Sequence, residues 1–425
     1  MRHVLQSFAT TGAIQILGLL NAVLLARLLG PEGRGELALV LLYPVLALGL
    51  AGLALNDAVV YRAARGVAPG RLAPSALLLA AVAGTVVAAV GAAVAPLLLA
   101  GHADAVRRSA ALYFLMVPAG LAALHIGAVF QGRLEYGVWN AVRGSTTLAT
   151  VAGVAALALA GLAEVETVTL AYLGGFCASA ALAVAVAHRR RWLPAPIDRP
   201  ELGQLLRFAL PLQAGVVVQL VNERLDQILI AHLLTPTDLG LYVAAMAIAA
   251  IPSIPALTLA NVAYPRIAGV ADAAERGPVV ERYLRLAIVL AGAVAIVLHV
   301  AALPLVTALY GPAFAAAVPI LEWYAAGAVA LAARAVLAQA VKASGRPMLA
   351  SAAELSGLAV NVALLLLLLP RIGVVGAAMA YAGMQATALA VLAIAAVRVA
   401  GFRPLRLLRE TPREVADQAR RLVRR

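Results

Sequence analysis

Five polar side chains follow one another along a single apolar stretch in the first half of the chain. Tyr136, Asn140, Arg143, Thr147 and Thr150 are three or four residues apart, so in a helix they fall within roughly 80° of one another. Such a stripe either lines a hydrated cavity, where Arg143 would meet an anion beside Asn140 and Thr147, or packs against a neighbouring helix. The arginine favours the cavity, because packing alone does not require a positive charge.

A second apolar stretch, at 205–233, carries charge on two faces. Glu223 and Asp226 share one face of the predicted helix, whereas Arg224 lies on another. A carboxylate at low dielectric can carry a coupling proton or sodium ion, which makes Glu223 and Asp226 candidates for ion coupling. The other interpretation is an internal ion pair that locks this helix to a neighbour. Arg224 joins Arg143 as a candidate anion ligand.

Three further charges lie within apolar stretches. Arg334 is about a dozen residues into the stretch at 316–341 and is a second deep candidate for binding an anion. Glu354, in the next stretch, is its candidate partner and a third candidate for ion coupling. Arg27 lies near the outer end of the first stretch, where it either binds ligand or extends its side chain to the membrane interface.

Composition indicates the environment of these side chains. Hydrophobic residues make up 64 % of the chain, charged residues 12 %, and the mean hydropathy is +0.95, whereas soluble domains carry about 25 % charged residues. The apolar runs lack the period-two alternation of a membrane barrel. We therefore predict an all-α polytopic membrane protein with twelve transmembrane helices, at about 5–28, 37–60, 73–99, 108–130, 137–160, 166–187, 205–233, 239–264, 283–309, 316–341, 348–369 and 374–398.

One segment occurs twice. The residues at 26–35 return 205 positions later at 231–240, with the alanine, both leucines, the proline and the glycine at the same spacing. Such parallel repeats are typical of transporters, whose substrate site lies between the repeats. The repeat also matches Asp226 to the uncharged Asn21. We predict two pseudo-symmetric six-helix lobes, with these boundaries: N-terminal lobe 1–190, cytoplasmic linker 191–202, C-terminal lobe 203–400 and basic cytoplasmic tail 401–425.

The basic residues predict the orientation. With the N-terminus in the cytoplasm, 25 lysines and arginines lie on the cytoplasmic side and 5 on the opposite side, a bias that sets topology strongly. Both termini are therefore predicted to be cytoplasmic. The net charge of +13 follows from this bias and from a tail that anionic membrane lipids attract, so it does not require a nucleic-acid partner.

The loops and motifs argue against an enzyme. The longest connections, about 188–204 and 265–282, leave no room for a catalytic domain. We find no phosphate-binding Gly-Lys-Ser/Thr loop, His-Glu-x-x-His motif or nucleophile elbow. Cys177 is the only cysteine, which excludes a disulfide framework and a cysteine-based metal site. The sequence predicts a transporter with no catalytic residue, metal or cofactor.

Several segments carry a family resemblance. Ala26-Arg27-Leu28-Leu29-Gly30-Pro31-Glu32-Gly33, followed by Gly35, resembles the opening signature of the polysaccharide transporter family. This family comprises the O-antigen and exopolysaccharide flippases of the multidrug/oligosaccharidyl-lipid/polysaccharide exporter superfamily. The likeness continues along the chain, at 207–211, 226–230, 240–242, 309–314, 344–347 and 373–378.

The resemblance implies a function and a location. It implies two six-helix lobes around a cationic central cavity that opens alternately to either side. The implied substrate is an oligosaccharide linked to an isoprenoid (undecaprenyl) pyrophosphate, flipped to the outer leaflet of the bacterial inner membrane, with a polysaccharide polymerase and glycosyltransferases as partners. Arginine suits this cargo because it binds phosphate bidentately and stays charged, and Arg143, Arg224 and Arg334 are the candidates.

Three alternatives remain open. A cation-coupled multidrug antiporter of the same superfamily would need an acidic, aromatic cavity, whereas aromatic residues make up only 5 % of this chain. A lipid II flippase would usually add two C-terminal helices. A membrane polymerase of surface polysaccharide would need a large outward loop. The lobes also differ in charge, because His232 stands where the first repeat has Arg27.

Overall fold

The computed structural model describes residues 2–52, 54–270 and 272–404, and the predicted basic tail lies outside this part from residue 405 onward. Within it the regular secondary structure is helical, so the all-α prediction is confirmed. The α-helices are, in chain order, α1 (Arg2–Ala51), α2 (Leu55–Ala64), α3 (Pro69–Leu98), α4 (Asp104–Tyr113), α5 (Met116–Gly132), α6 (Tyr136–Leu159), α7 (Val165–Arg189), α8 (Arg199–Leu233), α9 (Pro236–Ala249), α10 (Ser253–Ala268), α11 (Ala273–Val300), α12 (Ala302–Tyr310), α13 (Val318–Ala343), α14 (Pro347–Ile372) and α15 (Val374–Val399), with a 3-10 helix at Pro312–Ala317.

Many of these helices have the length and composition of membrane spans. In the described residues nine helical segments are long and apolar enough to cross a bilayer, and Pro236–Ala249 is a shorter apolar helix. The chain is therefore a multi-pass membrane protein. The number of twelve spans stays a prediction.

Both copies of the repeated segment interrupt a helix. In the first copy Gly30 has a φ of 67°, outside the helical region, and Pro31 restarts the helix of α1. In the second copy α8 ends at Leu233 and Pro236 begins α9. There Thr235 caps the new helix, because its hydroxyl accepts a hydrogen bond from the Asp238 backbone and Asp238 accepts one from the Thr235 backbone. The repeat thus marks a helix–helix junction in each half.

The chain divides into two compact units, Met1–Ala231 and His232–Arg425. In this division α8 belongs to the first unit up to Ala231, whereas the predicted C-terminal lobe begins at 203. The predicted lobe boundaries therefore stay a prediction.

Ion pairs join the linker and the start of α8 to the rest of the first unit. Glu201 is fully buried and accepts two hydrogen bonds from Arg62 of α2, at 2.7 and 2.6 Å. Asp198 pairs with Arg71 and also accepts a hydrogen bond from the Glu201 backbone. The hydrogen bond from Arg71 is the main reason that the pKa of the Asp198 carboxyl lies below its usual value. Behind these pairs, Leu205 packs into the core formed with α2, α3 and α5.

The second unit is built around α13. This helix packs against α10, α11 and α15, and its buried residues Val336, Leu337 and Ala340 lie in one core with residues of those helices. Toward its other end, Tyr324 stacks on Tyr381 of α15 with the ring centroids 4.0 Å apart. Small residues allow this close approach between apolar helices, and α13 thereby holds its polar residues at fixed positions.

Removing the charge of Glu201 should destabilise the first unit. Glu201→Gln leaves the Arg62 guanidinium without its buried counter-ion, and we expect a loss of about 3 kcal/mol, the lower end of the range for broken buried pairs, since Arg62 is partly exposed. Thermal unfolding of the purified protein measures this. Asp104→Asn, in the solvent-facing pair with Arg107, is the control and should cost about 1 kcal/mol or less. Equal effects of both variants would contradict the role given to Glu201.

The helix order and the basic residues predict the side of each loop. Green fluorescent protein fused after Arg425 should fluoresce, because the C-terminus is predicted to be cytoplasmic. Alkaline phosphatase inserted at Gly161, in the turn between α6 and α7, should be active, because this turn is predicted to face outward. The reverse pattern would show that the topology is inverted.

Candidate functional site

The polar stripe of α6 has two environments. Asn140 and Thr150 are buried, whereas Tyr136, Arg143 and Thr147 are half-buried. The stripe therefore has a packed component at Asn140 and Thr150 and accessible groups at Tyr136, Arg143 and Thr147. Its role in binding stays a prediction.

Arg143 and Thr150 illustrate these two environments. The Arg143 guanidinium lies over the Trp139 ring, 4.4 Å from its centroid, in a cation–π contact that holds the side chain without neutralising its charge. At Thr150, α7 comes so close that a Cβ added to Gly175 would lie 2.1 Å from the threonine Oγ1. On the same pair of helices, the Ser179 hydroxyl donates a hydrogen bond to the Val142 carbonyl at 2.7 Å. The α6–α7 pair is thus a tight frame that holds an accessible arginine.

Arg27 and Asn21 lie in different environments on the first helix. Arg27 is exposed near the end of the first helical stretch of α1. Asn21, on the same helix, is buried and donates a hydrogen bond to the Tyr172 hydroxyl of α7 at 2.7 Å. Asn21 is therefore a packing residue, and Arg27 stays a weaker candidate ligand than Arg143.

The charged residues of helix α8 differ in burial. Arg224 is half-buried and donates a hydrogen bond to the Gln227 side chain, one turn further along the helix, at 3.2 Å. Asp226 is buried, and its carboxylate accepts a hydrogen bond from the Gln227 backbone at 2.8 Å. Glu223 is exposed. Asp226 and Arg224 are thereby linked through Gln227, and the proposed ion coupling by Glu223 and Asp226 stays a prediction.

Arg334 of α13 has partners on two neighbouring helices. It donates one hydrogen bond to Glu354 of α14, the partner that the sequence suggested, and a second to Gln385 of α15. Arg334 lies nine residues before the end of α13 and Glu354 is the eighth residue of α14, so both lie ~10–14 Å from the connecting turn. One guanidinium thus ties α13, α14 and α15 together.

Gln385 was not found from the sequence. It is a lone amide in an apolar helix and is 3 % exposed, and a single polar residue of this kind does not reveal its partner. The sequence did carry one indication of such a partner. A buried amide in a membrane helix is energetically costly unless it forms a hydrogen bond. With Gln385 included, the Arg334 cluster consists of Arg334, Glu354 and Gln385.

Arg143 and Glu354 have the same position relative to the start of their helices. Each is the eighth residue of its helix, α6 or α14, and each helix follows a turn residue with positive φ, Leu134 at 61° or Gly345 at 77°. The two helices therefore carry opposite charges at the same distance from their first residue. This charge inversion extends the difference already seen between Arg27 and His232.

No metal-binding group is evident in the described residues, where His, Cys, Asp and Glu do not form clusters of three or more that could hold an ion. Cys177 of α7 is a free, exposed thiol. The candidate groups on these helices are guanidinium, carboxylate and amide side chains, which suit the binding of anions and of single protons or cations.

Comparison with known proteins identifies the family and the fold. Residues 1–271 match the model of a family described as polysaccharide biosynthesis protein. No curated protein sequence matches the chain.

Solved structures of transporters share its fold. A lipid II flippase MurJ in an inward closed conformation matches with a TM-score of 0.76 at 15 % identity, over 95 % of this chain and 89 % of the other. An inward-facing multidrug resistance MATE family transporter of the MOP superfamily has a TM-score of 0.71 at 12 % identity, over 91 % and 95 %. A mutant of the Vibrio cholerae MATE transporter VcmN has 0.56 at 15 %, over 93 % and 97 %. Identities this low show the fold alone.

The close approach of α6 and α7 predicts an unequal effect at two adjacent glycines. Gly175→Ala would place a methyl group against Thr150 and the Thr146 carbonyl, whereas Gly174 faces open space. We expect Gly175→Ala to lower stability by about 1–3 kcal/mol and Gly174→Ala to change it little, as measured by thermal unfolding in detergent. Equal melting temperatures for the two variants would contradict the packing assigned to Thr150.

Proposed function

The chain belongs to the polysaccharide biosynthesis protein family, and we propose that it is a flippase for lipid-linked oligosaccharides. Its substrate is an oligosaccharide on an isoprenoid pyrophosphate, such as undecaprenyl pyrophosphate. The protein moves this lipid from the cytoplasmic to the outer leaflet by alternating access, for assembly of a surface polysaccharide. The family match over residues 1–271 is the observation that carries this proposal, and the transporter fold supports it.

Arginines within the helices suit a pyrophosphate cargo. A guanidinium binds phosphate oxygens through paired N–H groups and stays charged at low dielectric. Arg143 is held by an aromatic ring that leaves its charge available, and Arg224 and Arg334 are half-buried beside amide side chains. We propose these three as the main anion ligands, with Arg27, Asn140 and Thr147 as further contacts.

We further propose that transport runs outward and is driven by an ion gradient. The protein lies in the bacterial inner membrane with both termini in the cytoplasm, where glycosyltransferases build the lipid-linked glycan; a polymerase uses it on the other side. A proton or sodium gradient drives export through Glu223, Asp226 or Glu354, which can carry the coupling ion without a bound cofactor. No step in this cycle requires enzymatic chemistry or nucleic acid.

Two related functions compete with this proposal. The fold match to a multidrug resistance transporter favours a cation-coupled antiporter, and buried Asp226 is the type of group that attracts a cation. The arginines within the helices oppose it, because they repel organic cations. The match to a lipid II flippase favours a related lipid pyrophosphate cargo, which the same arginines would accept.

Loss of Arg143 should abolish transport while the protein still inserts. In a strain that lacks its own O-antigen flippase, we expect the wild-type protein to restore surface polysaccharide. Arg143→Ala should lower the yield about tenfold or more, since a charged hydrogen-bond donor is lost. Arg133→Ala, ten residues earlier and paired with Glu135 outside α6, is the matched control and should complement fully.

Two results would contradict this account, the first the role of Arg143 and the second the flippase function. Full complementation by Arg143→Ala would assign Arg143 to packing. Robust efflux of a cationic dye by the wild-type protein, abolished by Asp226→Asn, would favour the antiporter.

A further inference from the structure

The two partners of Arg334 differ in burial. Gln385 is 3 % exposed, and the Arg334 side chain is 12 % exposed, whereas the Glu354 side chain is 47 % exposed. A carboxylate that faces lipid is costly, so the exposed part of Glu354 faces water or polar groups. The Arg334 cluster therefore has a closed side at Gln385 and an open side at Glu354.

The closed side is rigid. Helices α14 and α15 approach so closely that a Cβ added to Gly357 would lie 3.0 Å from the Met384 carbonyl oxygen, next to Gln385 in the sequence. Gln385 is neutral and its oxygen accepts the hydrogen bond from Nε of Arg334. This bond does not depend on Glu354, so the guanidinium keeps one anchor when the carboxylate leaves.

The open side is exchangeable. The Glu354 carboxylate binds the Nη1 end of the guanidinium, and an ion pair with one exposed partner is only marginally stable because water competes for the carboxylate. A pyrophosphate group carries more negative charge than a carboxylate and presents several oxygens to the same N–H groups. It is therefore a stronger ligand for the position that Glu354 occupies.

We propose that Glu354 is an internal counter-anion, which the pyrophosphate of the substrate displaces from Arg334 while Gln385 holds the guanidinium in place. This inference rests on the proposed function. In the empty protein Glu354 neutralises Arg334 and so lowers the cost of a charge in the membrane. When substrate leaves, the carboxylate returns, and this competition keeps the anion from binding too tightly to be released.

Binding of farnesyl pyrophosphate, a soluble isoprenoid pyrophosphate, tests the competition directly. Its affinity is measured by titration calorimetry with the full-length protein in detergent. Glu354→Gln removes the competing charge and keeps the shape, so we expect binding about tenfold tighter than that of wild type. Arg334→Gln should weaken binding about tenfold, and Glu354→Gln should have no further effect in that background.

A matched control separates this competition from a general change in charge. Glu322→Gln removes a carboxylate elsewhere on α13, which lies 3.2 Å from Nδ1 of His299, and should leave the affinity unchanged. Equal or weaker binding by Glu354→Gln, with binding by wild type intact, would overturn the competition and leave the flippase proposal standing. A lower melting temperature without tighter binding would likewise assign Glu354 a purely structural role. Absence of binding by the wild-type protein would overturn the proposed function and this inference together.

Discussion

A charge that is removed from water must be met by an opposite charge or a hydrogen-bonding side chain, and this requirement organises the polar residues of the protein. In the first unit it is met at the start of α8, where buried Glu201 and Arg62 form a bidentate pair. In the second unit it is met by the Arg334 cluster. Each of these two clusters joins helices more specifically than apolar packing alone would, because apolar side chains contact lipid about as favourably as they contact one another.

The arginines differ in how far their partners neutralise the positive charge. Arg62 is matched by a fully buried carboxylate, so its charge is committed to the fold. Arg143 lies over an aromatic ring, and its charge remains available to an anion. Arg334 is intermediate, because one of its partners is exposed and exchangeable. This gradation explains why an arginine in a span does not by itself identify a ligand, and why its partners decide the assignment.

The sequence predicted those parts of the structure that depend on local pattern. Apolar runs gave the helices, Pro31 and Pro236 gave the helix junctions, and the adjacent spans of Arg334 and Glu354 allowed their pairing to be anticipated. The sequence did not predict which side chains from distant segments contact one another. Nothing local to Glu201 indicates Arg62 as its partner, and nothing local to Gly175 indicates Thr150. For the same reason the α6 stripe could not be divided into packed and accessible residues, because burial depends on which helix lies alongside.

The proposed flippase activity is tested most directly by reconstitution. Purified protein is placed in liposomes whose two leaflets contain undecaprenyl pyrophosphate-linked oligosaccharide, and an added glycosidase that cannot cross the bilayer reports the glycan in the outer leaflet. With the wild-type protein, the glycosidase should reach nearly all of the glycan over time, because lipid from the inner leaflet is moved outward. In protein-free liposomes about half should remain protected, since a charged headgroup crosses hydrocarbon very slowly. Protection of the same half in the presence of the protein, under an imposed proton or sodium gradient, would contradict the function proposed for this chain.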